Sequence, residues 1–347
     1  RGRRHRNPGT RAFVQKRHSA VSFLEVHDLP MSERSPHSPV AIVGAGALGT
    51  ALARALVANG HRIEAVLSRT AASAQALADR VGAPVGSASW EALPPSVRLV
   101  WICVPDDAIG AVAEALAEIN HPWPDTTVAH TSGAKAAAVL SPLEQAGAAP
   151  LSFHPMQAFA GDTPPEAFSG IVVGLQGAPA AVEQGATVAQ TLGARPVRLS
   201  AHDKARYHAA AALASNGLVA LMAAVQELLP LPQGAPSAPA DHAGVAPLVG
   251  HTWDNLQRSA PEEALTGPVA RGDEETVRAH LEALRDETPH LLPLYTALST
   301  EMVRVAVQGG HLSPRQAETL RARLQTALDI PRTDEASDES GPGSSGA

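Results

Sequence analysis

Cysteine is almost missing from the chain: Cys103 stands alone among 347 residues. That excludes an internal disulfide framework and a cysteine-built zinc site. A lone thiol fits a reducing compartment, and the cytoplasm is the expected location. Aromatic residues are scarce, at 3%, and lysine is nearly absent, with 3 Lys against 24 Arg. The 15 histidines include no H-x-x-x-H or H-E-x-x-H pair, and no carboxylate lies at ligand spacing near His154 or His208, so no metal centre is expected. No G-x-S-x-G turn occurs, which leaves hydrolase chemistry unsupported. No N-terminal stretch joins a basic region to an apolar run of signal-peptide length. The longest uncharged run, Ala209 to Gln226, contains Ser215, Asn216 and Gly217 and is followed by Pro230 and Pro232. It reads as a buried helix rather than a membrane span, and no membrane association is expected.

What remains is a chain long enough for two domains, with the 44% apolar content of a soluble globular protein. Abundant Ala, Gly and Pro suggest helices packed through small side chains and many defined turns. Charge is uneven: residues 1–30 hold seven Lys/Arg against two acids, and residues 31–330 hold 19 against 28. An acidic body repels a phosphate backbone, and no basic stripe with interleaved aromatics appears, so no nucleic acid partner is expected. Residues 1–37 begin without Met and lack helical or strand periodicity, so they are expected to be a disordered or artefactual extension, with Met31 the natural start. The Asp, Glu, Ser and Gly of residues 331–347 predict a disordered tail.

Strand and helix patterns alternate from Val40 to about Ser200, the signature of a doubly wound α/β fold with a mostly parallel sheet. Strands are expected at Val40 to Val43, Ile63 to Leu67, Leu99 to Val104, Thr127 to His130, Ala149 to Phe153, Ile171 to Leu175 and Pro196 to Leu199. Most are continuous apolar runs, as in strands buried on both faces. After His202 only helical patterns remain, near 202–229, 241–260, 273–287, 293–308 and 313–328. Ser313, Pro314 and Gln316 supply an N-cap, a first-turn proline and a capping-box partner for the last helix. The expected organisation is therefore a Rossmann domain over 38–200 and an all-α substrate and dimerisation domain over 201–330.

Gly44, Gly46 and Gly49 form G-x-G-x-x-G between a Val-Ala-Ile-Val strand and an amphipathic helix that Gly60 ends. The context makes the motif informative. Gly44 permits the tight turn, Gly46 lets backbone approach a pyrophosphate, and Gly49 lets helix and strand pack closely. With Ala45, Ala47 and Leu48 they offer the helix's unpaired N–H groups to an anion. About twenty positions on, where an NAD enzyme places an acid on the ribose, stand Ser68, Arg69 and Thr70. A guanidinium with two hydroxyls suits a 2′-phosphate, so NADP(H) is expected; a solvated Arg69 would leave the preference open.

Ligands of such sheets lie outside the carboxyl ends of the strands. Val104, Pro105 and Asp106 are expected beside the cofactor, with Asp106 read first as a helix cap. Thr131, Ser132 and Gly133 follow the next strand and can face nicotinamide or substrate. His154 and Gln157 follow the one after, His154 being open to a catalytic or a purely structural role. On the helix from His202, the residues Lys204, His208 and Ser215 fall within roughly 40° on a wheel, with Asn216 on the flank. A buried Lys can donate a proton to a carbonyl oxygen, which Arg cannot do; Lys204 as a solvated first-turn residue is the competing reading. Thr266, Gly267, Pro268, Arg271, Gly272 and Asp273 are expected to make a compact turn before the next helix, with Asp273 its N-cap; Arg271 can clamp a carboxylate or phosphate, or fix the turn by an ion pair. Tyr295 can reach the cleft or pack between helices.

The runs V-A-I-V-G-A-G-A-L-G-T-A-L-A from Val40, F-H-P-M-Q-A-F from Phe153, K-A-R-Y-H-A-A-A-A-L-A-S-N from Lys204 and L-T-G-P-V-A-R-G-D from Leu265 together resemble a bacterial family. That family is described only as a Rossmann-like domain followed by the domain of unknown function 2520. Its architecture is similar to the phosphogluconate dehydrogenase superfamily, with ketopantoate and pyrroline-carboxylate reductases. The resemblance implies that Lys204 acts as acid or base. It departs from the superfamily pattern in placing His208 one turn on and Asn216 two turns further. It also implies a homodimer formed through the helical domain, and it leaves room for a deazaflavin beside NADP. The expected function is an NADP(H)-dependent oxidoreductase acting on a small carbonyl, imine or hydroxy compound, with Lys204, His154, His208 and Asn216 at the chemistry. The alternative is a non-catalytic NADP(H)-binding sensor or assembly protein.

Overall fold

Eight strands form one sheet in the computed structural model, which describes residues 38–161, 163–229 and 244–329. The expectations for residues 1–37 and 331–347 lie outside the described residues. The strands are β1 (Val40–Val43), β2 (Ile63–Leu67), β3 (Val85–Ser87), β4 (Leu99–Ile102), β5 (Thr127–His130), β6 (Ala149–Pro155), β7 (Val172–Gly177) and β8 (Arg195–Arg198), in the order β3-β2-β1-β4-β5-β6-β7-β8. All neighbours run parallel except β6 and β7. The order reverses direction at β1 and β4, and there the carboxyl ends open a crevice.

The apolar strands are apolar because both faces are covered. Val40 and Ile42 of β1 join a core with α1 (Ala47–Ala58), α2 (Ala71–Val81) and α5 (Pro179–Thr191). Ala41 and Val43 join a second core with α3 (Ile109–Ala117) and α4 (Ser141–Gln145). The strand β3 is absent from the sequence expectation. It has three residues with Gly86 at its centre, too short and too weakly apolar to register. His154 and Pro155 belong to β6 rather than following it.

Contacts divide the chain into a compact unit ending at Gly217 and a second beginning at Leu218. The first unit thus includes α6 (Asp203–Ala212) and a π-helical segment, Leu213–Gly217. The second contains α7 (Leu218–Leu228), α8 (Ala246–Leu256), the short α9 (Pro261–Ala264) and α10 (Pro268–Arg271), then α11 (Glu274–Glu287), α12 (Leu292–Gln308) and α13 (Pro314–Asp329). Its core joins Val277, Leu281 and Leu284 of α11 to Val303 and Ala306 of α12 and to Ala317, Leu320 and Leu324 of α13. The caps are as expected: Asp273 accepts from Thr276 N at 3.1 Å, and Ser313 N donates to Gln316 Oε1 at 3.1 Å. The segment read as a turn at 266–273 holds α10, which Pro268 starts and Gly272, at φ +69°, ends.

One expectation fails outright. The run Ala209 to Gln226 is largely exposed among the described residues: Leu213 is 75% and Val219 70% exposed. The stretch Asp203–Leu228 is long and apolar enough to cross a membrane by length and composition alone, and 6% of its most apolar window is buried.

Candidate active site

The cradle forms at the carboxyl end of β1. Gly44 has φ +107°, a conformation that a side chain resists, and a Cβ there would lie 2.4 Å from the Cys103 carbonyl oxygen. A Cβ on Gly49 would lie 2.0 Å from the Gly44 carbonyl oxygen. These two glycines are needed for backbone to pass backbone. Gly46 differs: it caps α1 at its N-terminus, it is exposed, and a Cβ there would meet nothing within 4 Å. Its open side is where a pyrophosphate can approach the first-turn N–H groups of Ala47 and Leu48, which no helical carbonyl engages. A cleft of about 240 Å³ beside it is lined by Ala45, Thr50, Ser73, Ala76, Leu77 and Arg80.

At the end of β2, Arg69 is exposed and has no hydrogen-bond or ion-pair partner among the described residues. Thr70 caps α2, its hydroxyl accepting from Ser73 N at 3.4 Å. Ser68 is half-buried, with its N–H on the Ser87 carbonyl. A free guanidinium thus stands at the end of the strand next to an unobstructed helix start, where an anion can be held. Burial pushes the Cys103 thiol under the cradle up to about 12, so it stays protonated and unreactive.

A second cluster forms where β4, β5 and β6 end and α6 begins. Lys204 is 1% exposed. Its Nζ donates to the Ser132 carbonyl at 3.2 Å and to Ser152 Oγ at 2.6 Å. An ammonium has three hydrogens, so one is left without a partner among the described residues. Burial lowers the amine's pKa from 10.5 to about 8, and Asp106 opposes that shift. Lys204 is thus not a solvated first-turn residue.

Ser132 organises the loop around this amine. Its hydroxyl donates to Asp106 Oδ2 at 2.7 Å and accepts from the N–H groups of Ala134 and Lys135, at 3.2 and 2.9 Å. Its N–H donates to His130 Nδ1 at 3.2 Å. His130 must then carry its hydrogen on Nε2, which faces the Ala136 carbonyl at 3.3 Å. Burial, then the charge of Lys204, lowers His130 to about 4. Asp106 makes no side-chain cap, which corrects the reading of it as a cap first: the 3₁₀ turn at Asp106–Ala108 and α3 both start without one. The carboxylate is engaged by Ser132 instead. Val104 is half-buried and Pro105 exposed on the same loop.

Gly133 lies between two imidazoles, and a Cβ on it would fall 2.3 Å from His208 Nδ1 and 2.8 Å from His154 Nε2. The rings of His154 and His208 meet edge to face at 5.6 Å, and His154 meets Tyr207 the same way at 5.6 Å. Burial, then Lys204 and His208, lowers His154 to about 4, so its imidazole is neutral at pH 7. The Nδ1 atoms of both histidines are buried and unpartnered.

The structure brings Lys204, His154, His208, Ser132, Gly133 and Asp106 together, and within the same unit it leaves Ser215, Asn216 and Gln157 outside the cluster. Ser215 and Asn216 are exposed and make no hydrogen bond to this cluster. The helical wheel misplaced them because the π segment from Leu213 breaks the 100° step. Gln157 is exposed and bonded to its own neighbour, Ala158 N, at 2.9 Å. Arg271, in the second unit, is exposed and stands 4.0 Å from Asp273, a weak pair. Tyr295 packs in the helical core with its hydroxyl 2.8 Å from His280 Nδ1. Sequence reasoning missed Ser152, His130 and Tyr207. Ser152, polar amid an apolar strand, was the one signal available. Among the described residues no group of three His, Cys, Asp or Glu is placed to hold a metal.

Fold and cradle together define a Rossmann-type dinucleotide-binding protein with a buried lysine at the end of its sheet. The family model of a Rossmann-like domain matches residues 26–155, and that of the domain of unknown function DUF2520 matches residues 171–302, the pair and the order the sequence motifs imply. A Bacteroides fragilis protein provisionally described as an NADP oxidoreductase is 27% identical, with TM-score 0.62 over 77% of this chain and 98% of its own. A Thermotoga maritima protein is 25% identical, with TM-score 0.62 over 78% and 98%. A reductive aminase from Aspergillus terreus, solved with NADPH, is 19% identical with TM-score 0.52 over 84% and 94%, a likeness of fold alone. Among curated proteins none matches the chain.

Proposed function

We propose that the chain is an NADP(H)-dependent oxidoreductase acting on a small carbonyl, imine or hydroxy compound, with Lys204 as the proton donor. The observation that carries this reading is the buried Lys204 amine, held by two protein oxygens with one N–H left over. When bound, the nicotinamide supplies or accepts hydride. The chain's own residues hold it by the first turn of α1 around Gly46, with Arg69 set against the 2′-phosphate. As negative charge grows on a carbonyl oxygen, Lys204 transfers its free proton to that oxygen. Ser132, fixed by Asp106, the neutral ring of His154 and the ring of His208 shape the pocket for the substrate's polar groups. The likeness to the Bacteroides fragilis protein supports the assignment.

The helical region expected over 201–330, whose residues up to Gly217 belong to the first compact unit, is proposed to supply substrate binding and dimerisation. The exposed Val219, Leu248 and Trp253 of the second unit support a homodimer, which sedimentation will test. The single, unreactive thiol supports a cytoplasmic location, checked by cell fractionation. The deciding experiment incubates the protein with NADPH and pooled small carbonyls and imines while reduced nicotinamide is followed by absorbance. Turnover that falls by roughly 10²–10⁴-fold in Lys204→Met is expected. Tight NADPH binding with no turnover of any pool would favour a sensor instead.

A further inference from the structure

We infer that Ser152 is a positioning residue, holding the Lys204 amine in one place through both of its protonation states. This rests on Lys204 being the proton-handling group proposed above. Ser152 lies on β6 at 0% exposure between two core residues, Leu151 and Phe153. A hydroxyl in such a place is costly unless bonded. Its side chain has one hydrogen-bond partner among the described residues, Lys204 Nζ at 2.6 Å.

The two oxygens on Nζ are not equivalent. The Ser132 carbonyl can only accept, whereas the Ser152 hydroxyl both accepts and donates. With the ammonium, an N–H donates to Ser152 Oγ. Once a proton has left, an N–H can remain on the Ser132 carbonyl while the nitrogen lone pair accepts the Ser152 O–H. The bond reverses with no movement of heavy atoms, and the serine keeps its proton throughout. Asp106 from the loop after β4, His130 from β5 and His154 from β6, with His208 beyond it, are the titratable groups around the amine. None of them makes a hydrogen bond to Nζ, so none replaces Ser152.

Lysine is rare enough to test this directly. Protein labelled with ¹³Cε-lysine gives signals from Lys16, Lys135 and Lys204 only, and Lys204→Met identifies the one of interest. In the native protein that signal is expected to titrate near 8. Ser152→Ala removes an acceptor from the ammonium and should lower its protonation constant roughly tenfold, the difference between a charge-assisted and a neutral hydrogen bond. Ser152→Cys, of similar volume but a poor acceptor, should follow Ser152→Ala and serves if the alanine protein does not fold. Ser152→Thr keeps the hydroxyl and should restore the native midpoint. In turnover, the high-pH limb of kcat should move with the titration while KM for NADPH stays put. Native midpoints in the Ala and Cys proteins, or an equal shift in all three, overturn the assignment. A moved midpoint in a protein that turns over nothing leaves Ser152 its role and removes the oxidoreductase reading instead.

Discussion

The glycine cradle and the lysine cluster occupy the same edge of the same sheet, yet they are built in opposite ways. The cradle is local: Gly44 to Gly49 is one turn, completed by Arg69 at the next strand's end. Its chemistry is supplied by backbone, and its side chains are chosen for being small. The lysine cluster is assembled from a distance, through bonds that join residues 26, 72 and 52 positions apart. There side chains supply the polar groups, and burial shifts their pKa values. A local motif can be read from a sequence, whereas a cluster made by topology needs the fold.

If this contrast holds, damage to the two regions should separate cleanly. The largest effect is expected from Lys204→Met, which should lower kcat by roughly 10²–10⁴-fold, the range for a positioned acid, while calorimetry finds NADPH affinity unchanged. A joint loss of both would mean that the regions are not separable. Next comes Gly46→Val: the open space around Gly46 predicts a folded protein of nearly native thermal stability whose NADPH binding falls at least about tenfold through obstruction of the phosphate approach. Native affinity in that variant would place the dinucleotide elsewhere. Arg69→Ala should weaken NADPH by about tenfold, the size of a charge-assisted contact, and leave NADH unaffected. Equal weakening of both would remove the 2′-phosphate assignment.

The smallest effect concerns stability. His130 and His154 each have folded pKa values of about 4 against an ordinary 6.5. The unfolded chain therefore binds protons more readily between those values, and stability should rise as pH increases from 4 to 6.5. Lys204, lowered to about 8, acts in the same direction between 8 and 10.5. Denaturant midpoints measured across pH 4–7 should show the first rise, and His154→Gln should flatten it. A flat native profile would mean that these imidazoles are solvated.

How far the sequence reached follows the same division. Three strands, Val40–Val43, Ile63–Leu67 and Thr127–His130, lie where the apolar runs put them, because a strand buried on both faces must be apolar throughout. The same runs carry no direction, so the antiparallel turn between β6 and β7 was not legible. Lys204 and His208 were found because α6 is regular as far as Ala212, and Asn216 was misplaced because the helix is not regular beyond it. Asp106 looked like a cap from its place after a strand; only the fold reveals that Ser132 reaches it first. The long apolar run was read as a buried helix because its composition matches one, and among the described residues it is exposed instead.

Entry of a dinucleotide into the cradle at Gly46 precedes every step assigned to the lysine cluster. Isothermal titration calorimetry of the purified protein with NADPH addresses this without any need to know the substrate. Saturable one-site binding, tighter than that of NADH, is the predicted result. No heat from either nucleotide at millimolar concentration would contradict it.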